Sequence, residues 1–452
     1  MRNWFLKVRS TFPSILATLL ASYLFSGAAP AAAAGAQPNW PEFRGPTGDG
    51  HAAKPNDATP IGLPLQWSET ENVKWKTPIP LQGWSTPAVL GGQVWMTTAT
   101  PDGHEFYVIC VDAETGHIRF NEKLFHCDNP EDLGNNVNCY ASPSPVVEPG
   151  RVYVHFGSYG TACLDTVTCK VIWKRSDLPC RHYRGPGSSP IVFGDLLILT
   201  FDGADLQYLA ALDKKSGKTV WKTDRATVWN DLDEAGKPKR EGDFRKAFTT
   251  PLMIEAAGTA QLISPGSSSA YSYDPWTGQQ IWMTRMTGYT PATCPVFGNG
   301  LVFITSGRGK SELMALRVDG HGDVTDTHLA WKADGPVVPQ EPSPIWVDDL
   351  LYLVTNNGTV TCFEAKTGNQ VWSERIGGNY LSSPVYADGR LYFQSTQGKS
   401  TVLRPGRTYE VLATNTLEAS FMASPVVVGK SLFLRSKTHL YRIEETAPAP
   451  KS

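Results

Sequence analysis

The chain has 452 residues, with 14 Trp, 16 Tyr, 18 Phe, 41 Gly and 34 Pro, and a formal net charge of −2. Abundant aromatics and turn formers, without long helical periodicity, predict an all-β chain. A balance this near neutral, with no basic face, excludes nucleic acid as a partner, since a phosphate backbone needs clustered Lys and Arg.

At the start, Arg2, Lys7 and Arg9 precede the apolar stretch 12–25 and an Ala-rich run ending at Ala36. This order predicts a cleaved secretory signal peptide over 1–36, too short and too softly flanked for a membrane span. Its removal takes the charge from −2 to −5. A lipid anchor needs a Cys just after the apolar run, and the first is Cys110. The expectation is a periplasmic or otherwise exported, unlipidated monomer: lead-in segment 37–71, repeat domain 72–444, disordered tail 445–452.

Within 72–444 one pattern recurs: an inner strand opened by Ser/Thr-Pro, two apolar strands, then Asp-x-x-Thr-Gly-x-x-x-Trp. It reads Asp213, Ser216, Gly217, Trp221, then Asp274, Thr277, Gly278, Trp282, and with Glu364 leading, Thr367, Gly368, Trp372. Short strands at a fixed period predict a β-propeller. The openers Thr86, Ser142, Ser189, Thr250, Cys294, Ser343, Ser383 and Ser424, each followed by Pro, count eight four-stranded antiparallel blades. Outer-strand Trp residues fall at 173, 221, 282, 331 and 372; the first blade has Phe120 and the seventh, around Tyr409, has none. The eighth runs out of chain near Ile443, and the Trp75 segment matches the missing strand, so the termini are expected to share one blade. That pairing removes two open edges.

The Asp-x-x-Thr-Gly turn needs a positive φ at its Gly, so Cys169 at that position predicts either a strained turn or one of a different type. The fifth blade departs further, with Asp319, Gly320, His321, Gly322 and a longer run to Trp331. Cys110, Cys163 and Cys362 occupy one repeat position in separate blades and read as small buried hydrophobes. Among the connections, Cys127 with Cys139 is the favoured disulfide, and no cysteine spacing suits zinc.

Outer-to-inner connections and second-to-third hairpins emerge on one side of the ring, where the candidate ligand-binding funnel lies. The connections offer Trp84, Tyr140, His182, Arg184, Arg245, Tyr289, Asn379, Tyr380 and Phe421, and the hairpins Tyr159, Asp202, Asp205, Arg308, Lys310, Asn356, Asn357, Gln397 and Lys399. Aromatic planes mixed with Arg, Asn and Asp suit a sugar, a quinone or a peptide, or merely close the channel. Insertions at 121–138 and 224–246 rise on the same face. Asp231, Asp233 and Glu234 resemble a calcium loop, but Ala235 and Gly242 stand where ligands belong. Lys237, Lys239, Arg240, Arg245 and Lys246, interleaved with Glu241 and Asp243, read as a solvated loop. His155 and His328 read as satisfied structural histidines. His182, flanked by Arg181 and Arg184, is the better functional candidate and is expected neutral. No catalytic or metal-ligating set emerges.

Residues 213–221, 274–282 and 364–372, and more loosely 112–120, resemble the tryptophan-docking motif of pyrroloquinoline quinone (PQQ) type propellers. Residues 39–50, Asn-Trp-Pro-Glu-Phe-Arg-Gly-Pro-Thr-Gly-Asp-Gly, resemble the start of exported BamB-like members. Quinoprotein alcohol dehydrogenases of this superfamily hold PQQ with calcium, a catalytic Asp and a vicinal Cys pair. This chain has no Cys-Cys, no Cys-x-x-Cys-His and no clear calcium set. BamB-like propellers lack a cofactor and offer the ring as a docking surface. The resemblance therefore implies a non-catalytic exported scaffold with an envelope protein or polysaccharide partner. A PQQ-dependent dehydrogenase and a carbohydrate binder are the alternatives.

Overall fold

The computed structural model describes residues 39–53, 57–134, 137–256 and 258–446. The expected signal peptide and most of the tail lie outside the described residues. Eight antiparallel sheets form the blades of a propeller. Seven have four strands, and blade 4 gains a fifth, Gly322–Asp323, lent by blade 5 and parallel to Gln280–Arg285. The one helical element among the described residues is the 3-10 turn Lys239–Gly242.

The ring closes through the termini. Val73–Pro78 pairs antiparallel with His439–Ile443, Trp75 opposite Arg442 and Thr77 opposite Leu440. Across the seam, Arg435 of blade 8 is buried and donates to Ser85 O and Thr97 O of blade 1, both at 2.9 Å. Burial among carbonyls pulls this guanidinium down to about 10.

Each docking indole donates to a backbone carbonyl of the next blade's hairpin: Trp75 to Ala113 (3.1 Å), Trp173 to Lys214 (3.0 Å), Trp221 to Pro275 (3.0 Å), Trp331 to Ala365 (2.9 Å) and Trp372 to Gly406 (3.0 Å). The ring face lies so close to the turn glycine that a methyl on Gly217 would meet Trp173 at 2.7 Å. The exceptions follow the neighbour. Cys169 does adopt the strained φ of 57°, and the ring facing its turn, Phe120, is a smaller one. Blade 5 lacks the ordinary turn, so Trp282 of blade 4 bonds Gln261 Oε1 of its own blade at 3.1 Å. Blade 8 has a seam instead of a hairpin, and blade 7 carries Ala413 there. Trp67 of the lead-in packs into that cluster, its backbone N–H donating to Asn415 Oδ1 at 2.9 Å.

The docking rings also explain three cysteines. Cys110, Cys163 and Cys362 face Phe120, Trp173 and Trp372 across the ladder, where other blades use Ala211, Ser272 and Ala315. A small side chain leaves room for the ring. The expected Cys127–Cys139 disulfide is absent, and all eight cysteines are free. Cys127 follows directly on the outer strand of blade 1, its N–H donating to His104 O (2.9 Å), while Cys139 turns its sulfur to Ser142 Oγ (3.3 Å).

The lead-in is a plug. Trp40 pairs with Val89 of blade 1 through two backbone bonds (2.9 and 2.7 Å), and Val147 of blade 2 donates to Pro41 O (2.8 Å). Arg44, 1% exposed, donates to Pro384 O of blade 7 (2.5 Å), Pro344 O of blade 6 (2.9 Å) and Asp49 O (2.7 Å). Tyr386 of blade 7 donates to Gly50 O (2.9 Å). Gly50 sits at φ 96°, and a Cβ there would strike the Arg44 guanidinium at 2.5 Å. The remaining space, about 230 Å³, lies between Glu42, Gly48 and the inner strands of blades 3 and 4. Burial raises the Glu42 carboxyl to about 8.

Candidate functional site

The central channel narrows at a hydroxyl collar. In blade after blade, the residue before the inner-strand proline accepts the backbone N–H of its counterpart one blade earlier. Thr86 donates to Ser144 (2.9 Å), Ser144 to Ser189 (2.9 Å), Ser189 to Thr250 (2.8 Å), Cys294 to Ser343 (2.9 Å), Ser343 to Ser383 (2.9 Å), Ser383 to Ser424 (3.0 Å), and Ser424 back to Thr86 (3.1 Å). The collar corrects one opener: blade 2 starts at Ser144-Pro145, two residues after the expected Ser142-Pro143, because the sequence there repeats Ser-Pro.

Side chains alternate along an extended backbone, so the residue two before each collar position also faces the lumen. These residues are Trp84, Ser142, Gly187 and Phe248 in the first four blades and Ala292, Glu341, Leu381 and Met422 in the last four. All eight line one cavity of about 380 Å³. Phe43 of the plug also lines it, so the chamber opens at one mouth and is backed by the lead-in at the other.

Charge enters the chamber from the insertions and hairpins. Lys246, 4% exposed, donates to Asp243 O at 2.8 Å, contacts the Asp243 carboxylate and lies over Tyr183. Burial, with Arg184 and Arg308 nearby, pulls its ammonium down to about 7. Arg308 pairs with Glu341 (2.8 Å), whose other oxygen accepts from Asn356. Arg184 donates to Leu133 O (3.2 Å) and lies over Tyr183, while Arg240 lies over Phe244. Neither Arg184 nor Arg240 has a carboxylate partner among the described residues. The backbone at Arg240 and Glu241 is left-handed, φ 50° and 56°, and the exposed Glu241 carboxylate pairs with Arg181 at 2.5 Å.

The sequence-predicted set divides. Trp84, Arg184, Tyr289 and Arg308 line the chamber. Tyr140 and Tyr159 instead prop the 121–138 insertion, Tyr140 Oη donating to Glu131 O (2.5 Å) and Tyr159 Oη accepting from Glu131 N (3.2 Å). His182 is buried, its Nε2 accepting from Ser158 N (2.9 Å), and its pKa falls to about 4. It is neutral as expected, but through burial rather than neighbouring cations. Asp202 forms a buried bidentate pair with Arg225 (2.5 and 2.7 Å) that ties blade 3 to Ser264 of blade 4; Asp205 caps Arg181 N at 2.8 Å. Arg245 pairs with Asp231 inside its loop, Nε to Oδ2 at 2.9 Å, and lies over Trp229.

Lys310, Asn356 and Asn357 line a separate shallow depression beside the mouth. Asn379 is exposed, its N–H donating to Gln397 Oε1 (2.9 Å), and Lys399 donates to Ile376 O (2.5 Å). Tyr380 and Phe421 are fully buried in the inter-blade core, one residue out of phase with the lumen-facing Leu381 and Met422. The solvated-loop reading of 237–246 also needs correction, since Arg240, Asp243 and Lys246 face the chamber. His155 is satisfied by Thr161 (2.8 Å), and burial pushes it to about 3. The period-2 count back from each proline was the signal that finds the missed residues Phe248, Glu341, Leu381 and Met422.

Residues 65–243 and 206–447 match a family model described as outer membrane protein assembly factor BamB. BamB of Yersinia pestis is 24% identical over 208 residues, 43% of this chain and 48% of the relative. BamB of Burkholderia pseudomallei is 41% identical over 69 residues, 15% of this chain and 18% of the relative. The chain thus spans about half the length of the first curated relative it matches and under a fifth of the second. Among solved structures, BamB from Moraxella catarrhalis superposes with a TM-score of 0.56 at 14% identity, covering 83% of this chain and all of that one. Quinohemoprotein alcohol dehydrogenase from Comamonas testosteroni gives 0.65 at 13% identity, covering 92% of this chain and 82% of that one. At such identities the likeness is one of fold alone.

Proposed function

Since the chain belongs to the PQQ-like propeller family described by the BamB model, we propose that it is an exported, non-catalytic docking propeller whose open mouth grips a segment of a cell-envelope protein. The observation that carries this reading is how the mouth spends its acid–base groups. His182 binds Ser158, Asp202 binds Arg225, and Asp231 binds Arg245, each fixing a loop of the rim. What faces the lumen is a rigid, pre-formed surface of aromatic, aliphatic and cationic side chains, which suits recognition.

The quinoprotein alternative asks for calcium beside the quinone, and the donor set does not fit. The chamber's two carboxylates, Asp243 and Glu341, are taken by Lys246 and by Arg308 with Asn356. Asp233 Oδ1 accepts from its own loop's Ala235 and Lys237 amides, both at 2.9 Å. No group of three or more metal-ligating side chains occurs among the described residues.

The test is a photo-crosslinker at Met422, a lumen position, used in envelope extract. The expected result is one discrete crosslinked protein that disappears when Trp84 and Arg308 are changed to Ala. Uniform, variant-independent crosslinking would sink the docking reading. PQQ added with calcium is expected to leave the melting temperature unchanged; a saturable rise would restore the dehydrogenase.

A further inference from the structure

The polar part of the chamber lining is mostly hydrogen-bond donors, set among apolar side chains such as Phe248, Leu381 and Met422. Each collar hydroxyl accepts a backbone N–H on one lone pair and still has its own proton to donate. In Ser383 that proton goes to Ser343 Oγ at 3.0 Å, while Thr86, Ser144, Ser189 and Ser424 stand around the floor of the same cavity. Above them are four cations, Arg184, Arg240, Lys246 and Arg308, against two carboxylates, Asp243 and Glu341, each bound to one of the cations. A half-enclosed space lined by hydroxyls and by two guanidiniums without a carboxylate partner among the described residues is complementary to an oxyanion, and charge-assisted bonds there are shielded from solvent.

We propose that this chamber is a receptor for an oxyanionic group, a carboxylate or phosphate held between Arg184, Lys246 and the hydroxyl collar. The group can be borne by a free small molecule or by an acidic segment of a partner. The inference does not depend on a protein partner, and it predicts something the docking reading does not. An anion beside Lys246 favours the charged ammonium that burial, with Arg184 and Arg308 nearby, disfavours. Binding near pH 7 therefore draws a proton onto Lys246. The other groups facing that ammonium are Asp243, already paired with it, and the ring of Tyr183.

The experiment is isothermal titration of the full chain with inorganic phosphate, with citrate and with a Glu-rich peptide, each in two buffers of different ionisation enthalpy. Saturable binding of at least one probe, with proton uptake near pH 7, is expected. Arg184→Gln is expected to weaken it about tenfold or more, the loss of one charge-assisted bond. Lys246→Met is expected to abolish the proton uptake, while Lys170→Gln on an exposed turn leaves both unchanged. Tighter phosphate or citrate binding identifies a free ligand, and tighter peptide binding an acidic segment. No saturable binding by any probe would overturn the proposal, as would binding indifferent to Arg184→Gln. Because Lys246 is buried, a melt of each variant that matches the parent chain verifies that a loss of binding is not unfolding. Failure of the crosslinking experiment would leave these titrations unaffected.

Discussion

The two ends of the channel are built from the same eight inner strands, yet they treat charge in opposite ways. At the closed end, Arg44 is sunk among backbone carbonyls and the half-buried Glu42 faces the small space behind the plug. At the open end, Arg184, Arg308 and Lys246 keep their heads in the chamber, on side chains and loops added to a finished ring. Stability and recognition are thus placed on opposite sides of the hydroxyl collar, and substitutions should sort accordingly.

Arg44→Met is expected to have the largest effect, about 3–5 kcal/mol of lost stability, because three charge-assisted bonds vanish and carbonyls of blades 6 and 7 lose their donor. Urea unfolding checks it; a change under 1 kcal/mol would mean the plug is ornamental. Glu42→Gln should act next, and in a pH-dependent way. A carboxyl near 8 in the folded chain and near its ordinary value unfolded holds a proton only when folded between those limits. Stability is full at about pH 4 and falls as pH rises to about 8, on the order of 2–4 kcal/mol in all, so the variant should flatten that decline.

At the open end the sign reverses. Neutral His182, near 4 when folded, makes the chain lose stability as pH falls from about 6.5 to 4, because the unfolded state binds the extra proton. His182→Gln should remove part of that acid sensitivity, in thermal melts at pH 5 against pH 7, with His155 and His439 also contributing. Smallest of all, Arg184→Gln should shift stability by no more than about 0.5 kcal/mol while changing ligand binding. A large destabilisation there would erase the contrast between the ends.

Blade count, closure through Trp75 and the docking tryptophans were legible in the sequence, because the repeat encodes local turn geometry and each Trp carries its own partner motif. Even the irregular blades were flagged at Phe120, Cys169 and Asp319, although why they differ appeared only once each ring was seen against the following blade. The site was half legible. Tyr380 and Phe421 were chosen as conspicuous aromatics near an inner strand, whereas side-chain alternation, counted back from the proline, selects Leu381 and Met422. The plug was hidden because its bonds are made by Arg44, Gly50 and backbone atoms whose partners lie in distant inner strands, and no local periodicity records such pairings.

The bond between Arg44 and Pro384 spans 340 residues. Loop-closure entropy of that length must be met before the contact returns anything, so assembly of this chain is expected to be slow and to finish late. During synthesis the earliest-made segment waits without its carbonyl partners until the seventh blade emerges, and the edges of the first blade wait for the eighth. Such a molecule is expected to lack a stable half-built form, with its exposure to misassembly ending only when the last strand closes the ring.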